Sequence, residues 1–155
     1  MARDSNLALL GTQLYTKRYN EVFIPQQQKH IDDLEATTEK MQSVSELINR
    51  LNSHMHNGNW IATSSEDKLL IDRVRSFDGV FLGDQGAYKW DSLDGLKQEA
   101  DNLRSWTQTE GQKTTQIYAR ITEDRKVDNN CFEAIKNMLE RDSSEKRTMI
   151  SNQRA

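Results

Sequence analysis

His54 and His56, two residues apart in the run His54-Met55-His56, are the first side chains that could hold a metal. On a helix, positions i and i+2 point about 200° apart, so two such imidazoles cannot share one ion. An extended segment would bring them together, but no cysteine or acidic ligand stands nearby at zinc-site spacing. A fraying helix end, where histidines meet terminal carbonyls, is the expected setting. Cys131 is the single thiol, and a nucleophilic role would require a neighbouring base. No histidine follows residue 56, and its spacing sets Cys131 among apolar neighbours as a small buried hydrophobe. Asp32, Asp33, Glu35 and Glu39 are mixed with Lys29 and Lys40. They read as a solvated helical face with i,i+4 pairing rather than an acid/base pair. Gly79, Gly83 and Gly86 do not make a phosphate loop, because the GxxxxGK[ST] pattern and a preceding parallel strand are both lacking; turn geometry is their role. No catalytic residue, cofactor or metal is expected, and the chain does not read as an enzyme.

The elements that must position any functional group are constrained by composition. The 155 residues are 35% hydrophobic and 29% charged, against the roughly 45–50% apolar content usual in a globular domain. The mean hydropathy is −0.87. A chain this polar must have a thin core, such as the seam between two helices, and packing against another copy or a partner would add the missing burial. With 21 basic and 24 acidic residues the net charge is −3. That balance supplies neither the basic face that nucleic acid requires nor a polybasic membrane anchor. No apolar run reaches the about 18 residues of a membrane span. The opening MARDSNLALLGTQLYTKRY has too short an apolar stretch for a secretory signal. One cysteine precludes an intramolecular disulfide and fits synthesis in a reducing cytoplasm, with export by a route that needs no cleaved signal left open.

Three zones follow along the chain: an N-terminal helical arm over 1–56, an irregular variable head with one short helix over 57–90, and a long C-terminal coiled-coil helix over 91–155. In the first, Leu34, Thr37, Met41, Val44, Ile48, Leu51 and Met55 alternate steps of three and four, a coiled-coil seam. Leu7, Leu10 and Leu14 form a similar stripe upstream, and Pro25 predicts a kink or break near Phe23–Ile24. Asn57-Gly58 is a helix stop. In the second zone, Ser64-Ser65-Glu66-Asp67 is a capping-box pattern that predicts a short helix over about Ser65 to Ser76. The alternation Val80, Leu82 is too brief to insist on a strand, and Phe77, Phe81, Tyr88 and Trp90 are expected to fold back as a small hydrophobic cluster. Trp60 and Trp90 flank this zone as anchors, whereas Trp106, beside the third-zone seam, reads equally as core or contact surface.

In the third zone Asp91-Ser92 caps a helix, with Asp94 in its first turn. The seam then runs Leu96, Ala100, Leu103, Thr107, Glu110, Thr114, Ile117, Ile121, Asp124, Asp128, Cys131, Ile135, Met138, Asp142, Glu145, Met149 without a slip of register. A helix of about 60 residues is roughly 90 Å long, and Gly111 is its weakest point, at about 1 kcal/mol relative to alanine. Polar blocks at Thr107–Thr114, Asp124–Asp128 and Asp142–Glu145 interrupt the apolar ones. They read either as helix not buried on that side or as devices that fix register and partner preference. The fold class is mainly α: an antiparallel coiled-coil helical hairpin with a small irregular middle region.

The order and local pattern resemble the hydrophilic needle-tip and filament subunits of bacterial type III secretion systems, the EspA-like proteins. The resemblance lies in TQLYTKRYNEVF and LEATTEKMQSVSELINRLN of the N-terminal helix, and in SLDGLKQEADNLRSWTQTEGQKTTQIYARITEDR and CFEAIKNMLERDSSEKRTMISNQR of the C-terminal one. It leaves Asn57–Tyr88 without a match, and the chain departs from the family in the charge of EDRKVD and ERDSSEKR near its end. The resemblance implies export without a cleaved signal from a cytoplasmic pool to the cell surface or medium. It further implies homo-oligomerisation through the terminal helices, a dedicated secretion chaperone, and contact with membrane-inserting translocon proteins. Its helix-packing and self-association residues would be Leu34, Met41, Val44, Ile48 and Leu51 facing Leu96, Leu103, Ile117, Ile121, Cys131, Ile135, Met138 and Met149. A cytoplasmic secretion chaperone or adaptor that binds a helical partner is the alternative. A small enzyme or ligand-binding domain that uses the middle zone, with a deep pocket lined by Trp60, Phe81 and Trp90, is a further one.

Overall fold

A computed structural model of the protein describes the backbone of residues 2–154 and the side chains of residues 9–141, 143–145 and 147–152. Four helices make up most of it: α1 (Ala2–Arg18), α2 (Ile24–Ser53), α3 (Ser65–Arg75) and α4 (Leu93–Arg154). Two strands of two residues each, β1 (Trp60–Ile61) and β2 (Lys89–Trp90), pair antiparallel in the register Trp60↔Trp90, Ile61↔Lys89. The fold is a mainly α antiparallel helical hairpin with a small irregular middle region. Contacts divide it into a terminal unit, residues 1–32 and 118–155, and a central unit, residues 33–117.

Local chemistry explains where the helices start and stop. The Ser64 side chain accepts the Asp67 N–H at 3.1 Å, capping α3 within one residue of the predicted start. Ser92 Oγ accepts the Gly95 N–H at 3.0 Å and opens α4, with Asp94 in the favourable first turn. After α2 a short turn over Met55–Asn57 leads to Gly58, whose φ of 75° is the left-handed stop anticipated at Asn57-Gly58. Helix α4 runs 62 residues through Gly111 without interruption. Its threonines stay compatible with helix by folding their hydroxyls onto the carbonyl four residues back, as Thr107 does to Leu103 at 2.9 Å and Thr122 to Tyr118 at 3.0 Å.

Where a kink or break was expected near Phe23–Ile24, the chain forms a single π-turn over Tyr19–Phe23, in which the Ile24 N–H reaches back five residues to the Tyr19 carbonyl. Pro25 has no N–H to donate and its ring would crowd the carbonyl four residues earlier, so the wider turn just before it absorbs the proline without ending the helical path. The stripe Leu7, Leu10, Leu14 is also corrected. Leu10 and Leu14 are exposed, the Leu7 side chain lies outside the described residues, and α1 packs instead through Gly11 and Tyr15.

The core belongs to the central unit. Val44, Leu47 and Leu51 from α2, Leu70, Ile71 and Val74 from α3, and Leu96, Leu103 and Trp106 from α4 are buried together with Trp60, Val80 and Trp90. Trp106 is therefore core: its indole N–H donates to the Asp78 carbonyl at 2.8 Å and its ring stacks on Phe77. Of the aromatic cluster predicted for the middle zone, Phe77, Tyr88 and Trp90 join this core, but Phe81 is 88% exposed. Val80 and Leu82 on either side of it turn inward, which sends the ring between them out.

Candidate helix-packing interface

The two units solve the same problem, holding antiparallel helices together, with different side chains. In the central unit the seam is apolar: Val44, Leu47, Leu51, Leu96 and Ala100 are fully buried. Fully burying a valine or leucine side chain is worth about 1.5–3 kcal/mol. Polar contacts at its flanks are peripheral, such as Arg104 to Asn52 at 3.4 Å and Thr114 Oγ1 to Met41 Sδ at 4.0 Å. Glu110 is buried at a seam position, where Lys113 one turn on donates to it at 2.8 Å; that bond raises the Lys113 pKa.

In the terminal unit the seam is polar. Tyr15 donates its hydroxyl to Asp128 Oδ2 at 3.1 Å, and the Arg18 guanidinium lies 3.8 Å from Asp128 Oδ1. Desolvation, and then the bond to the Asp128 carboxylate, raises the Tyr15 pKa. The Gln27 amide donates to the Ile121 carbonyl at 3.4 Å, and His30 Nε2 meets Asp124 Oδ2 at 3.0 Å. Ile121 is the sole buried hydrophobic among this unit's described residues. At Gly11 the helices pack tightly: a Cβ there would sit 3.0 Å from Ile135 Cδ1. The contacting positions Tyr15, Tyr19, Phe23 and Gln27 are each four residues apart. Each four-residue step on a regular α-helix drifts about 40°; the π-turn takes up that drift. Rings consequently touch in file, Tyr15 with Tyr19 at 6.1 Å and Tyr19 with Phe23 at 5.3 Å, and Phe132 joins Tyr15 at 5.9 Å.

A second polar cluster lies within the central unit. The buried Asp84 carboxylate accepts from Arg75, from the Tyr88 N–H at 3.0 Å and from the Gly86 N–H at 3.3 Å. These bonds hold a turn in which Gln85, Gly86 and Tyr88 all have positive φ. Glu99, 3% exposed, accepts the Gly83 N–H at 2.9 Å. Burial raises the Glu99 pKa, partly opposed by that bond; the Trp90 indole N–H favours its carboxylate electrostatically but forms no hydrogen bond of normal geometry. Both groups position the loop, and the glycines serve turn geometry.

Compared with family models, characterised proteins and solved structures, the chain gives no match.

The structure distributes the sequence-predicted packing residues unevenly. Val44, Leu51, Leu96 and Leu103 meet in the central core with Met41 and Ile48 against it, while Leu34 and Ile117 are half-buried outside that cluster. In the terminal unit Ile121 is buried, Cys131 is half-buried near Tyr15, and Ile135 packs at Gly11. Met138 is 41% exposed and Met149 half-buried; the Asp142 side chain lies outside the described residues. His54 stacks on Trp60 at 5.1 Å and 7°, His56 is exposed, and among the described residues no three His, Cys, Asp or Glu side chains converge as metal ligands. Trp60 and Trp90 stack face to face at 5.4 Å, which closes the space between two walls of the envisaged pocket, and Phe81, its third wall, points outward. Sequence reasoning missed Leu47, although it lies three residues past Val44 on the same helical face, and the polar partners Tyr15, Arg18, Gln27 and His30. The signal for the last was available: His30 precedes Leu34 by four residues, and Asp124 and Asp128 occupy seam positions that demand partners. Among the described residues no helix is long and apolar enough to cross a membrane.

Proposed function

We propose that the protein is a structural subunit of a type III secretion needle tip or extracellular filament, which assembles through its terminal helices. One observation carries the reading: residues near both ends of the chain pack on one another in the terminal unit, and the loop-rich middle builds a separate core of its own. That division suits a protein whose work is to be held in place by helices while presenting a head. The resemblance in the terminal segments supplies the setting, and burial of apolar helix surface, at about 25 cal/mol per Å², supplies the driving force.

Expression in a bacterium with an active type III apparatus tests the reading. The protein is expected in the medium at full length, and to stay in the cell when the apparatus is disabled. Retention in the cytoplasm in both strains, as a fixed low-order complex with another protein, would instead favour the chaperone or adaptor role.

A further inference from the structure

Phe81 lies in the open although its neighbours Val80 and Leu82 turn inward. Leaving such a ring in water forgoes about 1.5–3 kcal/mol. The loop that carries it is nevertheless firmly held. Trp106 donates to the Asp78 carbonyl at 2.8 Å and the Val80 N–H to the Phe77 carbonyl at 3.2 Å, while buried Glu99 and Asp84 accept the N–H groups of Gly83 and Tyr88. Two of its non-glycine residues, Gln85 and Tyr88, hold positive φ of 53° and 55°, a conformation that costs about 1 kcal/mol or more each. A fixed, solvent-facing aromatic loses little entropy when a partner covers it, which is the property of a binding anchor.

The ring also bounds a groove. Between the loop and α4 lies a hollow of about 170 Å³ lined by Gly79, Val80, Phe81, Asn102, Leu103 and Trp106. It adjoins a second hollow of about 420 Å³, which shares Gly79, Asn102 and Trp106 and reaches Asp78, Glu110 and Lys113. From Asn102 to Lys113 the helix rises about 16 Å, the length of about five residues of extended chain. Asn102, Ser105 and Thr109 along it are exposed, so the groove is open on its long side. An open trough suits a chain segment better than a small molecule, whose sites enclose most of the ligand.

We infer that this groove binds an extended, cationic segment of another protein, with one large apolar side chain against Phe81 and Leu103 and a lysine or arginine at Asp78. Charge selects the class of occupant. The Asp78 carboxylate is exposed and forms none of the ion pairs among the described residues. Glu110 and Lys113 pair with each other at 2.8 Å, which leaves that end of the groove one unit negative. The central unit as a whole has fourteen acidic and nine basic residues, so it attracts cationic partners and repels anionic ones. The central unit of a second copy carries the same negative excess and is disfavoured as the occupant. The site uses no residue of the terminal unit, and it stands or falls separately from the assembly proposed above.

Random heptapeptides displayed on phage are selected against the immobilised full-length protein, and the winners are synthesised for fluorescence-anisotropy titration. The expected sequences combine an aromatic or large aliphatic residue with a lysine or arginine about three to five positions away. Phe81→Ser should weaken their binding at least about tenfold with circular dichroism unchanged. Asn102→Arg, which obstructs both hollows and adds a like charge while leaving Phe81 in place, should do the same. Asp78→Asn should cost about threefold at low ionic strength and less in high salt. Selection no better than on the Phe81→Ser protein, winners without a basic residue, or unchanged binding to either Phe81→Ser or Asn102→Arg overturns the inference. If sedimentation equilibrium shows the wild type self-associating and Phe81→Ser abolishing it, the occupant is a second copy and the inference falls. Export of Phe81→Ser by the type III apparatus should match wild type, so loss of peptide binding and loss of secretion are read apart.

Discussion

The central and terminal units contain the same device, an antiparallel helix pair, built to opposite specifications. The central pair is closed by Val44, Leu47, Leu51, Leu96 and Ala100, and α3 with the two tryptophans of the paired strands thickens it into a core. The terminal pair has Ile121 as its one buried hydrophobic among the described residues, Ile135 packed at Gly11, and otherwise Tyr15, Arg18, Gln27, His30, Asp124 and Asp128. Apolar contacts are strong and indifferent to a slip of one turn, whereas polar pairs at seam positions contribute less net energy but are satisfied in only one register. The chain thus places stability in its middle and alignment at its ends.

All three tryptophans lie in the central unit, so their fluorescence reports that unit while circular dichroism reports both. The largest expected effect is Leu47→Ala, which should cost about 3 kcal/mol in denaturant melts followed by tryptophan fluorescence, because the side chain is wholly buried and leaves a cavity. Next, Asp128→Ala strands the Tyr15 hydroxyl and the Arg18 guanidinium, at a cost of about 2 kcal/mol, and should lower the circular dichroism midpoint while leaving the fluorescence midpoint in place. Removing the stranded groups as well, in Tyr15→Phe with Arg18→Met and Asp128→Leu, should recover most of that loss; if the triple variant is no more stable than Asp128→Ala, stranding these groups is not the source of the cost.

A smaller effect is expected at Glu99. Its pKa is raised in the folded protein by burial, so the native state binds the proton at a higher pH than the unfolded chain does. The charge therefore costs stability above the folded pKa, and the cost disappears as the pH falls toward the ordinary value of 4.5. Glu99→Gln, which keeps an acceptor for the Gly83 N–H, should stabilise the protein by about 1 kcal/mol at pH near 8, by less as the pH falls, and by nothing well below pH 4.5, where both states are protonated. Smallest of all, Phe81→Ser should shift the fluorescence midpoint by less than about 0.5 kcal/mol, since the ring makes no part of the core.

Much of the architecture was legible because strong local signals agreed with one another. Ser64 and Ser92 announced α3 and α4, Gly58 announced the end of α2, and the three-four spacing from Leu34 to Leu51 and from Leu96 to Ile121 announced the seam. Three features were not legible, for related reasons. Leu10 and Leu14 look like a packing stripe, but the face chosen by α1 is set by Gly11, which admits Ile135, and by Tyr15, which has Asp128 to bond. Greasiness alone does not identify a face when a specific partner lies on another. The π-turn depends on Pro25 and on ring contacts spaced four apart, and a proline read alone predicts a kink or break without its form. Buried Asp84 and Glu99 could not be picked out among 24 acidic residues, because nothing local marks a carboxylate that will cap a loop from a distance.

The turn at Tyr19–Phe23 has one more consequence. Proline at position 25 leaves a rung out of the backbone ladder, and the neighbouring bond spans five residues, from Ile24 to Tyr19. Deuterons from solvent should enter the amides around that gap sooner than those deeper in α2.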